Sequence, residues 1–349
     1  MEEKPLLKDR ITEELRERID KLQADVPVRI PSERDLSEML GVSRISVRAA
    51  IKNLVQEGRL VQEQGRGTFI TPRAASIKSL HILCSPDIKQ NDPFYNEFLV
   101  QLTNEAAKRS IHLFIVHPDR LPDRRQDCPL LAVGQWDAGS LATFAGLYDR
   151  VAMLLGDAVS APNVTQLVFD DERIGREAAD RLLNLGHREL VLLAGPDRYR
   201  SARLRAQGFA DRVRERGGAF AIRAAKMNWQ GGYESGDEVA GWLRDGSPGS
   251  GAVPTALFAA NDWMAAGVIQ KLKECGFRIP EMLSVVGCDD IPLSSQFEPA
   301  ITTFRLDMKA MIARTLEALQ EDEPPERDAG SEIKLAADFV ERDSLIPLR

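Results

Sequence analysis

From residue 79 to residue 290 the chain keeps repeating one pattern. A short apolar run is followed by a polar turn, then by a segment with apolar residues every three or four positions. The runs at 79–85, 111–116, 150–155, 190–195, 219–225, 256–260 and 283–290 read as strands. Segments 94–109, 173–185, 202–216, 233–244 and 263–275 read as helices. A short helix over 123–134 and a strand over 139–143 complete the expected order. Such alternation implies parallel sheets covered by helices. About ten strands exceed one tidy sheet. The expected α/β architecture is therefore two lobes, each with a parallel Rossmann-like sheet, and a cleft between them. Ligands of open sheets bind beyond the carboxyl ends of the strands.

This pattern begins only after about seventy residues, and the charge changes at the same place. The whole chain of 349 residues carries a net charge of −7, which on its own disfavours nucleic acid as a partner. Residues 1–73, however, hold 14 Lys and Arg against 13 Asp and Glu, whereas residues 74–349 hold 32 against 40. Within the first part, residues 41–73 carry six basic residues against Glu57 and Glu63. A small basic surface thus accompanies a larger acidic body. The expected boundaries are 1–72 for the first domain, 73–79 for a polar, small-residue linker that follows Pro72, and 80–349 for the two-lobed part. The stretch 320–330 reads as an acidic, proline-bearing surface loop.

No run of apolar residues reaches the length that spans a bilayer, since 252–269 is interrupted by Asn261 and Asp262. The N-terminal residues lack the apolar core of a secretory signal, so a cytoplasmic location without a membrane partner is expected. Cys84, Cys128, Cys275 and Cys288 are too widely spaced for a zinc site or a disulfide framework and read as free thiols. No metal and no cofactor is expected.

In the first part, Leu6, Leu7, Ile11, Leu15, Ile19 and Leu22 mark one face of a helix. Ser32 followed by Asp35 suits a capped second helix that ends at Gly41. Ser43 caps a third helix, with Val47, Ala50, Ile51, Leu54 and Val55 on its apolar face and Gly58 at its end. Two short helices across a glycine turn form a helix-turn-helix, whose second helix enters the major groove by its N-terminal residues. Here these are Ser43, Arg44, Ile45, Ser46 and Arg48, with hydroxyls for phosphates and guanidinium groups for guanine edges. Strands at 59–62 and 68–71 then flank Gln64, Gly65, Arg66 and Gly67, a hairpin with a basic tip. Arg44 or Arg48 alone would read as a solvated helix face. The ordered combination carries the inference.

The segment IPSERDLSEMLGVSRISVRAAIKNLVQEGRLVQEQGRGTFI resembles the winged helix-turn-helix of the GntR family, over about residues 5–72. The resemblance implies that Arg34, Arg44, Ser46 and Arg48 contact double-stranded DNA, beside the Ser43 already placed there by the helix start, and that Gly65, Arg66 and Gly67 form the wing tip. Position 45 departs from the family pattern, where a hydroxyl is common. Ile45 could instead meet a thymine methyl.

In the larger part, polar residues follow the strands: Ser85 and Asp87, then Asp157, then Asn261 and Asp262, then Asp289 and Asp290. Their carboxylates and amides suit sugar hydroxyls, and Phe94 and Trp229 could supply apolar walls. Asp290 reads as a cap for the segment after it, and His187 as a structural group at a helix end. The stretches VFDDERIGREAADRLLNLGHRELVLLAG, SARLRAQGF, FAANDWMAAGVIQKLKECGFRIPEMLSVVGCDDIPLSSQFEPAITTFR and FVERDS resemble the effector domain of LacI/GalR regulators, over roughly 79–345. The resemblance implies the periplasmic-binding-protein-like fold. It also implies that Arg205 clamps an effector, that Asn261 and Asp289 bind its hydroxyls, and that Asp157 and Trp229 line the pocket. The pairing of head and body resembles the arabinose-repressor arrangement.

The resulting expectation is a homodimeric repressor on a near-palindromic DNA operator, released by a carbohydrate effector; an effector-dependent activator or corepressor-type regulator is the alternative. A two-domain enzyme would need a cofactor loop or a catalytic constellation, and GxGxxG after a strand, GxxxxGK[ST], GxSxG and HExxH are all absent. An exported sugar-binding protein would lack the basic head.

Overall fold

The computed structural model describes residues 11–16, 19, 28–56, 60–63, 66–70, 77–89, 91–157, 161–247, 251–320 and 332–348. The chain divides into two compact units. One is Met1–Ser76 with Gln320–Glu323; the other is Ile77–Leu319 with Pro324–Arg349.

In the first unit residues 11–16 are helical, and Ile11 and Leu15 are buried as the apolar spacing requires. Leu6, Leu7, Leu22 and Gly58 lie outside the described residues. Strand β1 (Val28–Arg29) precedes helices α1 (Glu33–Leu40) and α2 (Arg44–Gln56) and strands β2 (Leu60–Glu63) and β3 (Gly67–Ile70). Ser32 and Asp35 form the expected capping box, each side chain taking the other's backbone N–H. Gly41 ends α1 with φ +63°, a left-handed conformation that L side chains resist. Leu36, Val47, Ala50, Ile51, Leu54, Leu60 and Ile70 pack into one core. The three strands pair antiparallel in the order β1-β3-β2.

The second unit contains two parallel sheets. The first holds β4 (Ser79–Cys84), β5 (His112–Ile115), β6 (Leu130–Val133), β7 (Val151–Leu154), β8 (Val164–Phe169) and β14 (Glu332–Leu335), in the order β14-β8-β7-β6-β4-β5. Helices α3 (Pro93–Lys108) and α4 (Ala138–Leu147) belong to this lobe. The second sheet holds β9 (Glu189–Ala194), β10 (Ala219–Ala224), β11 (Ala256–Ala259) and β12 (Ser284–Val286), in the order β10-β9-β11-β12. It carries α5 (Asp171–Asn184), α6 (Arg200–Glu215), α7 (Trp229–Asp245), α8 (Asp262–Glu274) and the short α9 (Pro292–Gln296). Strand β13 (Thr303–Leu306) leads into α10 (Met308–Gln320), and β15 (Ala337–Val340) returns to pair antiparallel with β13. The chain therefore passes between the sheets at 169–171, after 306, and at 335–337.

Two expectations for the first lobe fail. Residues 139–143 are not a strand but part of α4, which Asp137 caps by accepting from the Ser140 N–H at 2.9 Å. Leu141 and Phe144, three residues apart, bury its inner face. Residues 123–134 are not a helix. They end in β6, whose four residues are all buried between β4 and β7. The stretch 320–330 lies outside the described residues beyond Gln320, as do linker residues 73–76. All four cysteines are free, and Cys288 is buried. Among the described residues no helix is long and apolar enough to cross a membrane.

Candidate DNA-binding surface and ligand cleft

Helix α2 buries Val47, Ala50, Ile51 and Leu54, so its period of 3.6 turns Arg44, Ile45 and Arg48 outward. Ser43 Oγ accepts from the Ser46 N–H at 3.2 Å and lies 2.9 Å from Ser46 Oγ, closing the first turn. Ile45 is 82% exposed beside these arginines. Arg34 on α1 is exposed and donates to Glu38 at 3.2 Å. Arg48 donates Nε to both oxygens of Glu33, at 3.1 and 3.0 Å, and Nη2 to Oε2 at 2.6 Å. The Arg48 hydrogen bond holds the Glu33 carboxyl below its ordinary range. At the hairpin tip Arg66 is exposed. Gly67 has φ +124°, and a β-carbon there would stand 2.7 Å from Arg29 Nε. Gly65 lies outside the described residues. Arg34, Arg44, Arg48 and Arg66 thus all reach solvent from one small unit.

In the larger unit the C-terminal ends of the strands carry the polar residues anticipated from the sequence, but not all at one place. Arg205, on α6, is 3% exposed. It donates Nε to Asp171 at 2.9 Å, and Nη1 both to the Ala260 carbonyl at 2.6 Å and to Asp289 Oδ1 at 3.3 Å. Arg200 pairs with the other Asp171 oxygen at 3.4 Å and with Glu332 of β14 at 2.8 Å. This second pair ties the two sheets together. Burial raises the Asp171 and Asp289 carboxyls, and Arg205 opposes the shift in both.

Asp289 and Asp290 have φ of +121° and +58°. Successive non-glycine residues with positive φ are held only where surrounding bonds enforce them, at a cost of about 1–3 kcal/mol each. Asp262 supplies much of that enforcement. Its Oδ2 accepts from the Asp290 N–H at 2.7 Å, the Ile291 N–H at 3.3 Å and Ser294 Oγ at 2.6 Å, and its Oδ1 accepts from Thr303 Oγ1 at 2.5 Å. Burial pushes the Asp262 carboxyl up to about 6, with these donors opposing. Asp290 is therefore not the cap expected. Its carboxylate accepts from Arg305 at 2.7 Å and Arg342 at 2.5 Å.

A cleft of about 330 Å³ opens beside this loop, lined by Phe94, Gln101, Asp289, Ser295, Arg305 and Met308 among others. It brings Phe94, from the first lobe, together with Asp289, from the second. Arg205 stands behind Asp289. Asp157 does not line this cleft; it accepts from Arg203 at 2.6 Å, a link from the end of β7 to α6. Asn261 caps α8, accepting from the Met264 N–H at 2.9 Å. Trp229 starts α7 and stacks on Tyr233 at 4.8 Å, packed against the core of the second lobe. His187 is structural, bridging Thr255 Oγ1 at 3.0 Å and the Ile346 carbonyl at 2.9 Å, and burial lowers its pKa.

Sequence reasoning missed Glu33, Arg200, Glu332 and the pair Asp92 and Tyr95, and it read Asp262 as a partner for sugar hydroxyls rather than as the anchor of the loop at 289–291. Asp92 caps α3 ahead of Pro93, an N-terminal signal readable in the sequence. Burial raises the Tyr95 pKa, and the charges of Asp92 and Asp289 add to the shift.

Comparison with known proteins fits this division. Residues 7–70 match the model of bacterial regulatory proteins of the gntR family, and residues 179–345 match that of a periplasmic binding protein-like domain. The chain is 28% identical to the HTH-type transcriptional regulator DegA of Bacillus subtilis over 280 residues, 76% of this chain and 80% of that protein. It superposes with a TM-score of 0.62 on a LacI family transcriptional regulator from Enterococcus faecium with bound ribose, at 22% identity over 78% of this chain and all of that one. A complex of the transcriptional regulator CelR with cellobiose gives 0.63 at 18% identity, over 90% of this chain and all of that one. Fold and surface together define a DNA-binding transcriptional regulator. Within that class the chain joins a gntR-family head to a body with the LacI-like periplasmic-binding-protein fold.

Proposed function

We propose that the protein is a repressor released from its operator by a small carbohydrate or carbohydrate derivative. Residues 1–72 act as the DNA-binding domain, 73–79 as linker, and 80–349 as the effector-binding and dimerisation part. Each subunit of a homodimer reads one half of a near-palindromic operator. Arg34, Ser43, Arg44, Ser46 and Arg48 contact the duplex, and Gly65, Arg66 and Gly67 form a wing against phosphates. Phe94 and Asp289 contact the effector and Arg205 holds Asp289 from behind, whereas Asp157, Trp229 and Asn261 stand outside the cleft. The protein binds rather than catalyses and works in the cytoplasm.

One observation carries the reading of the site: Phe94 and Asp289, from different lobes, line one cleft, with the buried Arg205 holding Asp289. An aromatic face beside an anchored carboxylate suits a ring with hydroxyls. A ligand touching both lobes favours their closed arrangement and thereby one setting of the heads. The ribose and cellobiose bound by proteins of the same fold support the ligand class.

The test is a gel-shift titration of the protein on the DNA upstream of its own gene cluster, with monosaccharides, disaccharides and their phosphates added in turn. One sugar is expected to release the DNA. A sugar that tightens binding would make the protein a corepressor-dependent regulator, and no DNA binding at low salt would overturn the proposal. Asp289→Ala is expected to bind the operator as before and to ignore the sugar. Normal release by that variant would remove Asp289 from the site.

A further inference from the structure

Glu33 lies one residue after the Ser32 cap, in the first turn of α1, and Arg48 lies fifteen residues later on the exposed face of α2. The three bonds they share use the two donors on one edge of the guanidinium, the edge made by Nε and Nη2. A guanidinium has five N–H donors in a rigid plane. Fixing two on one edge therefore fixes the plane and the direction of the other three. Those three belong to Nη1 and Nη2, and two of them, one from each nitrogen, form the end-on edge.

We propose that Glu33 is a positioning residue for DNA reading, holding Arg48 by its side-on edge so that its end-on edge is presented to a guanine. The proposal rests on the reading that Arg48 enters the major groove. Guanine offers two acceptors there, O6 and N7, that take a parallel pair of N–H groups. Exposure fits the division of labour. The Glu33 side chain is 28% exposed and lies beneath, whereas that of Arg48 is 71% exposed and stands above it. An arginine loses much rotamer freedom when it binds, and one already held loses less at that moment. Arg34 lacks this arrangement. It meets Glu38 through a single Nε bond with both side chains 68% exposed, a contact that fixes no plane. An acid near phosphates would ordinarily repel DNA, but Arg48 and Arg44 both act on the Glu33 charge.

The experiment uses the full chain, its operator and a non-specific duplex of equal length, with the variants Glu33→Gln, Arg48→Lys, Arg48→Ala and Glu33→Gln with Arg48→Ala. Glu33→Gln is expected to weaken operator binding about tenfold, the scale of one bidentate base contact. It should leave non-specific binding unchanged and flatten the preference at the base pair that Arg48→Ala identifies. The double variant should be no weaker than Arg48→Ala alone. Arg48→Lys leaves α1 and its cap untouched, keeps the charge and cannot be held in a plane. It should retain non-specific affinity and lose the same base preference, which covers the case of a Glu33 variant that folds poorly. If Glu33→Gln shifts operator and non-specific binding equally, or keeps the base preference, the positioning role is overturned while Arg48 still reads a base. If Arg48→Ala loses equally on every sequence, Arg48 reads no base and the proposal falls with that reading.

Discussion

In the head, Arg34 and Arg48 pair with Glu38 and Glu33 while most of each arginine side chain stays in water. In the body, Arg200 and Arg205 pair with Asp171, Glu332 and Asp289 with almost no exposure. The same kinds of ion pair therefore do different physical work. In water an ion pair contributes little and is exchanged easily for another anion, such as a phosphate. Away from water each charge needs its partner, since an unpaired one costs several kcal/mol. The head can therefore free Arg34 from Glu38 for DNA without harm to its fold, and Arg48 can keep Glu33 on one edge with the other open. The body cannot release Arg205 without disturbing the cleft, which couples what sits in the cleft to the packing of both lobes.

The largest effect should come from breaking that coupling. Arg205→Ala leaves Asp171 and Asp289 buried without their shared partner, and a loss of about 3–5 kcal/mol in the body's unfolding free energy is expected from urea titration. A loss below about 1 kcal/mol, the range of exposed pairs, would put body and head on the same footing. The next effect is a pH dependence opposite in sign to that of Glu33 in the head, whose carboxyl lies below its ordinary range. The Asp262 carboxyl titrates at about 6 in the fold against an ordinary 3.8, so the folded state binds the proton more tightly than the unfolded chain. Its contribution is most favourable below about pH 4 and is lost as pH rises through about 6. Each tenfold difference in proton affinity is worth about 1.4 kcal/mol, so the change is roughly 3 kcal/mol. Urea titrations of the wild type and Asp262→Asn at pH 4.5 and 7 measure it. An unchanged difference between the two proteins would show that Asp262 does not carry the slope.

How far these features were legible in the sequence depends on their range. The capping box at Ser32, the glycine at 41 and the outward face of α2 are set by residues within a few positions of one another, and the structure has them as read. The alternation of strands and helices was legible for the same reason. Strand β6 was not, because a central strand of four buried residues has no polar alternation to separate it from a helical segment. Helix α4 was misread because its small and apolar residues hide the spacing of Leu141 and Phe144. The site was legible only in part. Arg205 and Asp289 stood out by resemblance. Asp262, however, joins donors up to 41 residues away, and Arg200 meets Glu332 across 132. Nothing in the sequence near Glu332 marks it as the partner of a buried arginine.

The smaller effects belong to the head. Arg48→Ala should weaken operator binding about tenfold, with the loss concentrated at one base pair. Competition with operators substituted one base pair at a time measures this. An equal loss on all sequences would mean a phosphate contact, and the salt slope would then fall by about one.

The smallest is Ser32→Ala, which removes the hydroxyl that accepts from the Asp35 N–H at 3.3 Å and leaves that donor to water. Because the turn is exposed, water can take the place of the hydroxyl, so the cost is only about 1 kcal/mol. It should appear as a roughly fivefold loss of hydrogen-exchange protection in the α1 amides, with the amides of the body's two sheets unchanged. The body offers the opposite case in Asn261, which caps α8 from a buried position and also donates to the Met227 carbonyl at 3.5 Å. Asn261→Ala should cost more than Ser32→Ala, since the Met264 N–H it serves is buried and has no water to turn to. If both caps cost the same, burial is not what separates the head's polar groups from those of the body.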